Sequence, residues 1–217
     1  MDLHVKNGAT WLDIGGYSSR PGAEHISEQE EIERIRFAVS YALETYPEIQ
    51  ISVDTFQPEV AAYVLEQGVH AINDISGGTI YPELLSVVAK HRVPYILMHM
   101  RGTPQTMATL NQYQNLTQEV VVELGAQLEK AKAAGIHDVI IDPGFGFAKN
   151  SEQNLELFTR LEVFRLFDCP LLVGISRKSM VYKTLGIEAA DSLNGTTALN
   201  MLALEKGASI QIGRAHV

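Results

Sequence analysis

Short β-branched runs that stop abruptly at a polar side chain recur along this chain, and that repetition restricts its architecture more than any bulk property. Val139-Ile140-Ile141-Asp142 leads into Pro143-Gly144-Phe145-Gly146-Phe147, so a run fit for a buried strand ends at a carboxylate and a glycine-rich turn. Ile51-Ser52-Val53-Asp54 ends the same way. Ala71-Ile72-Asn73-Asp74 closes on an amide and a carboxylate, and Leu171-Leu172-Val173-Gly174-Ile175 runs into Ser176-Arg177-Lys178. Amphipathic stretches lie between these runs, which is the alternation of a parallel α/β sheet. Ligands bind at the carboxyl ends of such strands, so four strand ends bring carboxylates, an amide and an ammonium to one face.

Strands are expected at Thr10 to Ile14, Ile49 to Val53, Ala71 to Asn73, Tyr95 to Met98, Val139 to Ile141, Leu171 to Gly174 and Ala208 to Ile210. Helices are expected over Glu28 to Tyr46 behind a Ser27 cap, Glu59 to Gln67 behind Pro58, Pro82 to His91, Leu116 to Ala134, Ser151 to Phe164 and Leu193 to Lys206. Seven strands fall one short of a closed barrel. The expected fold is therefore α/β, an incomplete (β/α)8 TIM barrel lacking its first strand and last helix, with an open doubly wound sheet less favoured. Met1 to Asn7 reads as the tail of a helix that follows the absent strand. One domain is expected over 1–211. Ile212-Gly213-Arg214-Ala215-His216-Val217 reads as a non-native tail over 212–217, because a common sequencing adapter encodes that string.

At 217 residues with 46% hydrophobic and 20% charged residues the chain can bury a core of its own. A net charge of -9 argues against nucleic-acid and anionic-membrane partners and points to small molecules. The lone Cys169 precludes an internal disulfide and fits a reducing cytosol. No run reaches the ~18 apolar residues of a membrane span, and Met1-Asp2-Leu3-His4 does not open a signal peptide. A soluble, cytoplasmic protein is expected.

Gly15-Gly16-Tyr17-Ser18-Ser19-Arg20-Pro21-Gly22 is either a solvated turn or an anion cradle in which backbone N–H groups and Arg20 meet phosphate. Asp54, Asn73 and Asp142 could each cap a helix, but three at successive strand ends favour a ligand rich in N–H donors. Metal is the rival; yet no His or Cys spacing suits a transition metal, and Mg²⁺ takes only one or two carboxylates. Lys178 is either a first-turn lysine in water or an ammonium at the barrel mouth, and its polar turn argues against a Schiff base. His99 has the chemistry of a general base. It reads more simply as a hydrogen-bonded core histidine, with no acid partner identifiable from spacing. Phe145 and Phe147 either line a planar ligand or pack the loop.

Together these blocks resemble the dihydropteroate synthases, folate-pathway members of the pterin-binding barrel family, over the chain to about Gln211. The resemblance rests on Asp13-Ile14 with the loop from Gly15 to Gly22, Ser52-Val53-Asp54-Thr55, Ile72-Asn73-Asp74, Leu97-Met98-His99-Met100, Asp142 to Phe147, and Gly174-Ile175-Ser176-Arg177-Lys178-Ser179. It implies condensation of 6-hydroxymethyl-7,8-dihydropterin pyrophosphate with 4-aminobenzoate, giving 7,8-dihydropteroate and pyrophosphate. It further implies Asp142, Asp54 and Asn73 as acceptors around the pterin and Lys178 as a donor to its carbonyl side. Met98 and Phe147 would sandwich the ring, Ser19 and Arg20 grip pyrophosphate, and Pro21 and Ser176 shape the aminobenzoate pocket. Lys178 and Arg20 are the implied catalytic residues.

Mg²⁺ is the implied cofactor, held with pyrophosphate by an Asn of the family's first loop, upstream of Met1, so no metal ligand is expected in this chain. Without that loop this chain is expected not to turn over, whereas a longer version would. A homodimer is left open. Ser19 stands where the family usually has Thr, which keeps the hydroxyl. The family's Arg-x-His after the last strand would fall at Ile212 and Arg214, so Arg214 and His216 receive no role. The alternatives are a pterin-binding methyltransferase domain and a pterin-binding protein without catalysis.

Overall fold

The computed structural model describes residues 1–20 and 23–213. α1 (Asp2–Lys6) precedes β1 (Trp11–Gly15), after which come α2 (Glu28–Thr45), β2 (Gln50–Asp54), α3 (Pro58–Glu66), β3 (Ala71–Asp74), α4 (Glu83–His91) and β4 (Tyr95–Met98). α5 (Leu116–Ala133), β5 (Val139–Asp142), α6 (Ser151–Thr159), β6 (Leu172–Val173), α7 (Ser179–Leu185), α8 (Leu193–Glu205) and β7 (Ile210–Gln211) complete the order. Local chemistry sets the helix starts. Ser27 accepts from the Glu30 amide ahead of α2, Asn115 from Gln118 ahead of α5, and Asn150 forms a reciprocal capping box with Gln153 on α6.

β1 to β5 pair in chain order, all parallel. The Ile141 amide then donates to Pro170 O at 2.9 Å beside a parallel bridge to Leu171, carrying the sheet to β6, which pairs with β7. Strand order that never reverses is barrel winding; a doubly wound sheet reverses at its switch point. Among the described residues β1 pairs only with β2 and β7 only with β6.

The period-two alternation of each strand sorts its side chains into two layers. Ile14, Val53, Ile72, Leu97, Ile141 and Val173 face outward into the main core against the helices. Ile96, Ile140 and Leu172 fill the interior, with Trp11, Ile210 and Ile212 packed beside them but only partly covered. A third cluster, including Tyr17, Phe56, Met98 and Met107, caps the carboxyl end. On β1 to β3 the interior positions above this filling are polar: Asp13, Ser52, Asp54 and Asn73.

Three expectations need correction. The last strand is Ile210–Gln211, not Ala208 to Ile210, because Ala208 N still bonds Ala203 O at 2.9 Å in closing α8. α7 follows Lys178 directly, although its polar entry and seven residues gave no helical period. The helix expected to Phe164 stops at Thr159 and resumes as a 3-10 turn over Leu161–Phe167.

Candidate active site

Strand register assembles one corner of the barrel mouth. Asp13 pairs with Ser52 across β1 and β2, and Asp54 with Asn73 across β2 and β3, so four interior polar side chains meet. Asp13 accepts from Ser52 Oγ at 2.6 Å and from Asn73 Nδ2 at 2.9 Å. It is ringed by protein yet open to solvent along the free edge of β1; desolvation raises its carboxyl pKa against the pull of those two donors. Asp54 accepts no hydrogen bond from any described residue. Desolvation first, then the charges of Asp13, Glu31 and Asp74, hold its pKa well above the ordinary carboxyl range. Asp74, on the opposite face of β3, accepts from Ser76 N at 2.7 Å, Gly78 N at 2.8 Å and Tyr95 Oη at 2.6 Å, so it braces a turn.

The facing corner is built on β5 and β6. Asp142 pairs with Met98 in register, is buried, and accepts from Gly144 N at 2.8 Å through Oδ1, leaving Oδ2 without a partner among the described residues. Burial raises its pKa, while Lys178, the Gly144 amide and Lys149 pull it down and Asp13 pushes it up. Arg177 adopts φ of 54° and its amide meets Thr196 Oγ1 at 3.2 Å, which turns Lys178 inward at the start of α7. Lys178 Nζ donates to Phe145 O and lies 5.0 Å from the Phe147 ring centre. Burial lowers its pKa and Asp142 restores part of it. Phe147 packs against the apolar cap that contains Met98, so the two residues expected to sandwich a ring lie in one cluster.

Behind that loop lies a buried polar chain. Lys149 Nζ reaches Gly144 O and Phe147 O, each at 3.0 Å, and His99 Nδ1 at 2.9 Å. His99 Nε2 meets Glu123 Oε2 at 3.0 Å, and Arg101 bonds both Glu123 and Glu119. His99 is thus a satisfied core histidine whose acid partner sits on α5. Burial, aided by Lys149, lowers its pKa to about 4 despite Glu123. Gly144 is required here, since a Cβ would lie 2.0 Å from His99 O.

Ser19 and Arg20 lie on the loop after β1 at the same end, and Tyr17 ties that loop across the mouth: its hydroxyl meets His25 Nδ1 at 3.2 Å and accepts from Gln105 Nε2 at 2.9 Å. Arg20 is exposed and its guanidinium has no partner among the described residues. Ser176 is half-buried beside Lys178, likewise without a side-chain hydrogen bond to a described residue. Pro21, Arg214 and His216 lie outside the described residues. No group of three or more His, Cys, Asp or Glu side chains suited to a metal ion occurs among the described residues.

Sequence reasoning gave no role to Asp13, Lys149 or Glu123. Asp13 had a signal, a carboxylate between Leu12 and Ile14 in an otherwise apolar run. Lys149 and Glu123 had none, because burial of a loop lysine and its partner on a distant helix are tertiary facts.

The family described as pterin binding enzyme matches residues 2–216. A dihydropteroate synthase from Synechocystis is 44% identical over 209 residues, covering 95% of this chain and 72% of that protein. Among solved structures, the Yersinia pestis dihydropteroate synthase in complex with a sulfonamide drug superposes with a TM-score of 0.92 at 38% identity, covering 99% of this chain and 78% of the other. The Xanthomonas albilineans dihydropteroate synthase with 4-aminobenzoic acid gives 0.91 at 34% identity, covering 97% and 76%. The chain belongs to the pterin-binding enzyme family.

Proposed function

We propose that this member of the pterin-binding enzymes is a dihydropteroate synthase, a transferase that joins a dihydropterin methylene to the amine of 4-aminobenzoate and releases pyrophosphate. The observation that carries the reading, beside the relatives, is Asp54: a carboxylate at the mouth with no donor among the described residues, set among other carboxylates. Such a group calls for ligand N–H donors or positive charge.

A pterin supplies both. Its 2-amino group and ring N–H match the carboxylate of Asp142, Lys178 stands by for the ring carbonyl, and Asp54 with the Asn73 carbonyl takes the other edge. Met98 and Phe147 enclose the ring faces. Loss of pyrophosphate leaves positive charge on the methylene, shared with ring nitrogens, and the carboxyl groups of Asp13 and Asp54, which have no cation partner among the described residues, would favour it. The aniline nitrogen attacks that carbon, so no protein nucleophile is needed and orientation does much of the work. Ser19 and Arg20 hold the leaving group in this reading, while Pro21 and Ser176 shape the aminobenzoate pocket. Mg²⁺ enters only as a companion of pyrophosphate, and no step is assigned to it. No helix among the described residues is long and apolar enough to cross a membrane; a cytoplasmic location belongs to the same proposal.

Calorimetric titration with 7,8-dihydropteroate tests it. One site per chain is expected, competed by the pterin alone and weakened by Asp54→Asn. No heat of binding at ligand concentrations on the order of 1 mM would overturn the assignment.

A further inference from the structure

We infer that Lys149 is a positioning residue for the pterin, its ammonium holding the loop from Gly144 to Phe147 in the shape that sets Asp142 and Phe147 around the ring. The inference deepens the pterin reading above and rests on it. Geometry carries it. An ammonium has three N–H groups, and Lys149 Nζ has three acceptors: Gly144 O, Phe147 O and His99 Nδ1. The loop needs such a clamp because its backbone alternates in hand, with φ of 70° at Gly144, 84° at Gly146 and 49° at Ala148. Ala148 is in a region that a residue with a Cβ enters only under restraint. Within this loop Lys149 takes the carbonyls of Gly144 and Phe147 while Lys178 takes that of Phe145. Asn154 completes the hold, its Oδ1 accepting from Gly146 N at 2.7 Å and its Nδ2 donating to Lys149 O at 3.1 Å.

The chain behind Lys149 fixes one protonation pattern. Glu123 accepts from His99 Nε2–H, which leaves Nδ1 as an acceptor, and that acceptor fits only a donor on Lys149. A neutral amine would bring two N–H groups to three acceptors, so one loop carbonyl or His99 would be stranded in the interior. The groups facing the ammonium are Asp142 from β5 and Glu123 from α5, which favour its charge, and Lys178 before α7 and Arg101 after β4, which oppose it. Burial is the largest influence and brings Lys149 down to about 7. The clamp therefore loosens within the working range of pH.

The test is calorimetric binding of 6-hydroxymethyl-7,8-dihydropterin to the wild-type chain, Lys149→Met and Glu123→Gln, from about pH 6 to about pH 9, with melting curves at each pH. Comparison between proteins at one pH cancels ionisation of the ligand. Wild-type affinity is expected to fall about tenfold across that range, and Lys149→Met to be about tenfold weaker at the acid end and flat thereafter. Glu123→Gln removes a charge that favours the ammonium, so its midpoint should move to lower pH. If Lys149→Met binds like wild type with the same profile while Asp142→Asn still binds weakly, the positioning role is overturned and the pterin reading stands. If Lys149→Met does not fold, an unmoved midpoint in Glu123→Gln overturns the role. Absence of pterin binding by the wild type overturns both.

Discussion

The two corners of the barrel mouth use one backbone device and reach opposite electrostatic states. At the ends of β1 to β3, Asp13 and Asp54 have no cation partner among the described residues; Asp13 leans on two neutral donors and Asp54 on none. At the ends of β5 and β6, Asp142 stands between Lys178 and Lys149, and each lysine also grips loop carbonyls. Position at a strand end therefore makes a residue available, and what packs behind it decides its charge. The first corner waits for donors; the second offers an acceptor and a donor together.

The sharpest way to break this contrast is to neutralise one acid in each corner. Asp142→Asn should weaken pterin binding by about 1–3 kcal/mol or more, since one acceptor oxygen becomes a donor facing a donor edge. It should also lower the melting temperature, because Lys178 and Lys149 lose the charge that keeps them protonated. Asp54→Asn should weaken binding too, but leave the melting temperature of the empty protein unchanged or higher, because it relieves repulsion from Asp13 and Glu31. Paired calorimetry and melting curves decide. Equal losses of stability in both variants would show that the corners do not differ.

Much of this mouth is legible in the amino-acid sequence. Asp54, Asn73 and Asp142 end runs whose strand period is unmistakable, and the turns after them are short enough that their side chains must share one end of the barrel. What stayed hidden depends on burial and on contacts across many residues. His99 looked like a candidate base without a partner because Glu123 lies 24 residues away on α5. Asp74 and Asn73 are adjacent and chemically alike, yet only the sheet's facing sends one to the mouth and the other under Tyr95. α7 gives no signal of its own in the chain: the polar Ser-Arg-Lys turn lies just before it, and its seven residues are too few for a period.

Acid should separate the corners by sign. Asp54 has a raised carboxyl pKa in the folded chain, so the native state binds more protons than the unfolded one above the ordinary value, and its contribution to stability grows as pH falls. His99 and Glu123 act the other way. His99 drops to about 4 and Glu123 to about 2, with desolvation of Glu123 outweighed by His99 and Arg101, so the unfolded chain binds more protons than the native one. Their contribution is present above about pH 6.5 and is lost as pH falls through 4 toward 2. The buried His99 should account for on the order of 2 kcal/mol, and Glu123, a third exposed and screened, for about 1. Denaturant unfolding between pH 3 and pH 7 reads this out. Glu123→Gln should flatten the acid limb and Asp54→Asn should steepen it; the same slope in both variants would refute the assignment.

The smallest expected effect concerns the bond that joins the corners. Tyr17 belongs to the loop carrying Ser19 and Arg20, but its hydroxyl is held by Gln105 from the segment after β4, and its ring meets Phe56 edge-on at 4.9 Å. Tyr17→Phe keeps the ring contact and removes the hydroxyl, so stability should fall by only about 0.5–1.5 kcal/mol. Gln105 Nε2 still meets Ala23 O at 3.1 Å, so the loop would be loosened but not released, and no group proposed to touch the pterin would be lost. Affinity for the pterin alone should therefore hold, while affinity for its pyrophosphate ester, which Ser19 and Arg20 of that loop are proposed to hold, should drop by about threefold. Equal weakening of both ligands would mean that Tyr17 supports the whole mouth and does not tie one corner to the other.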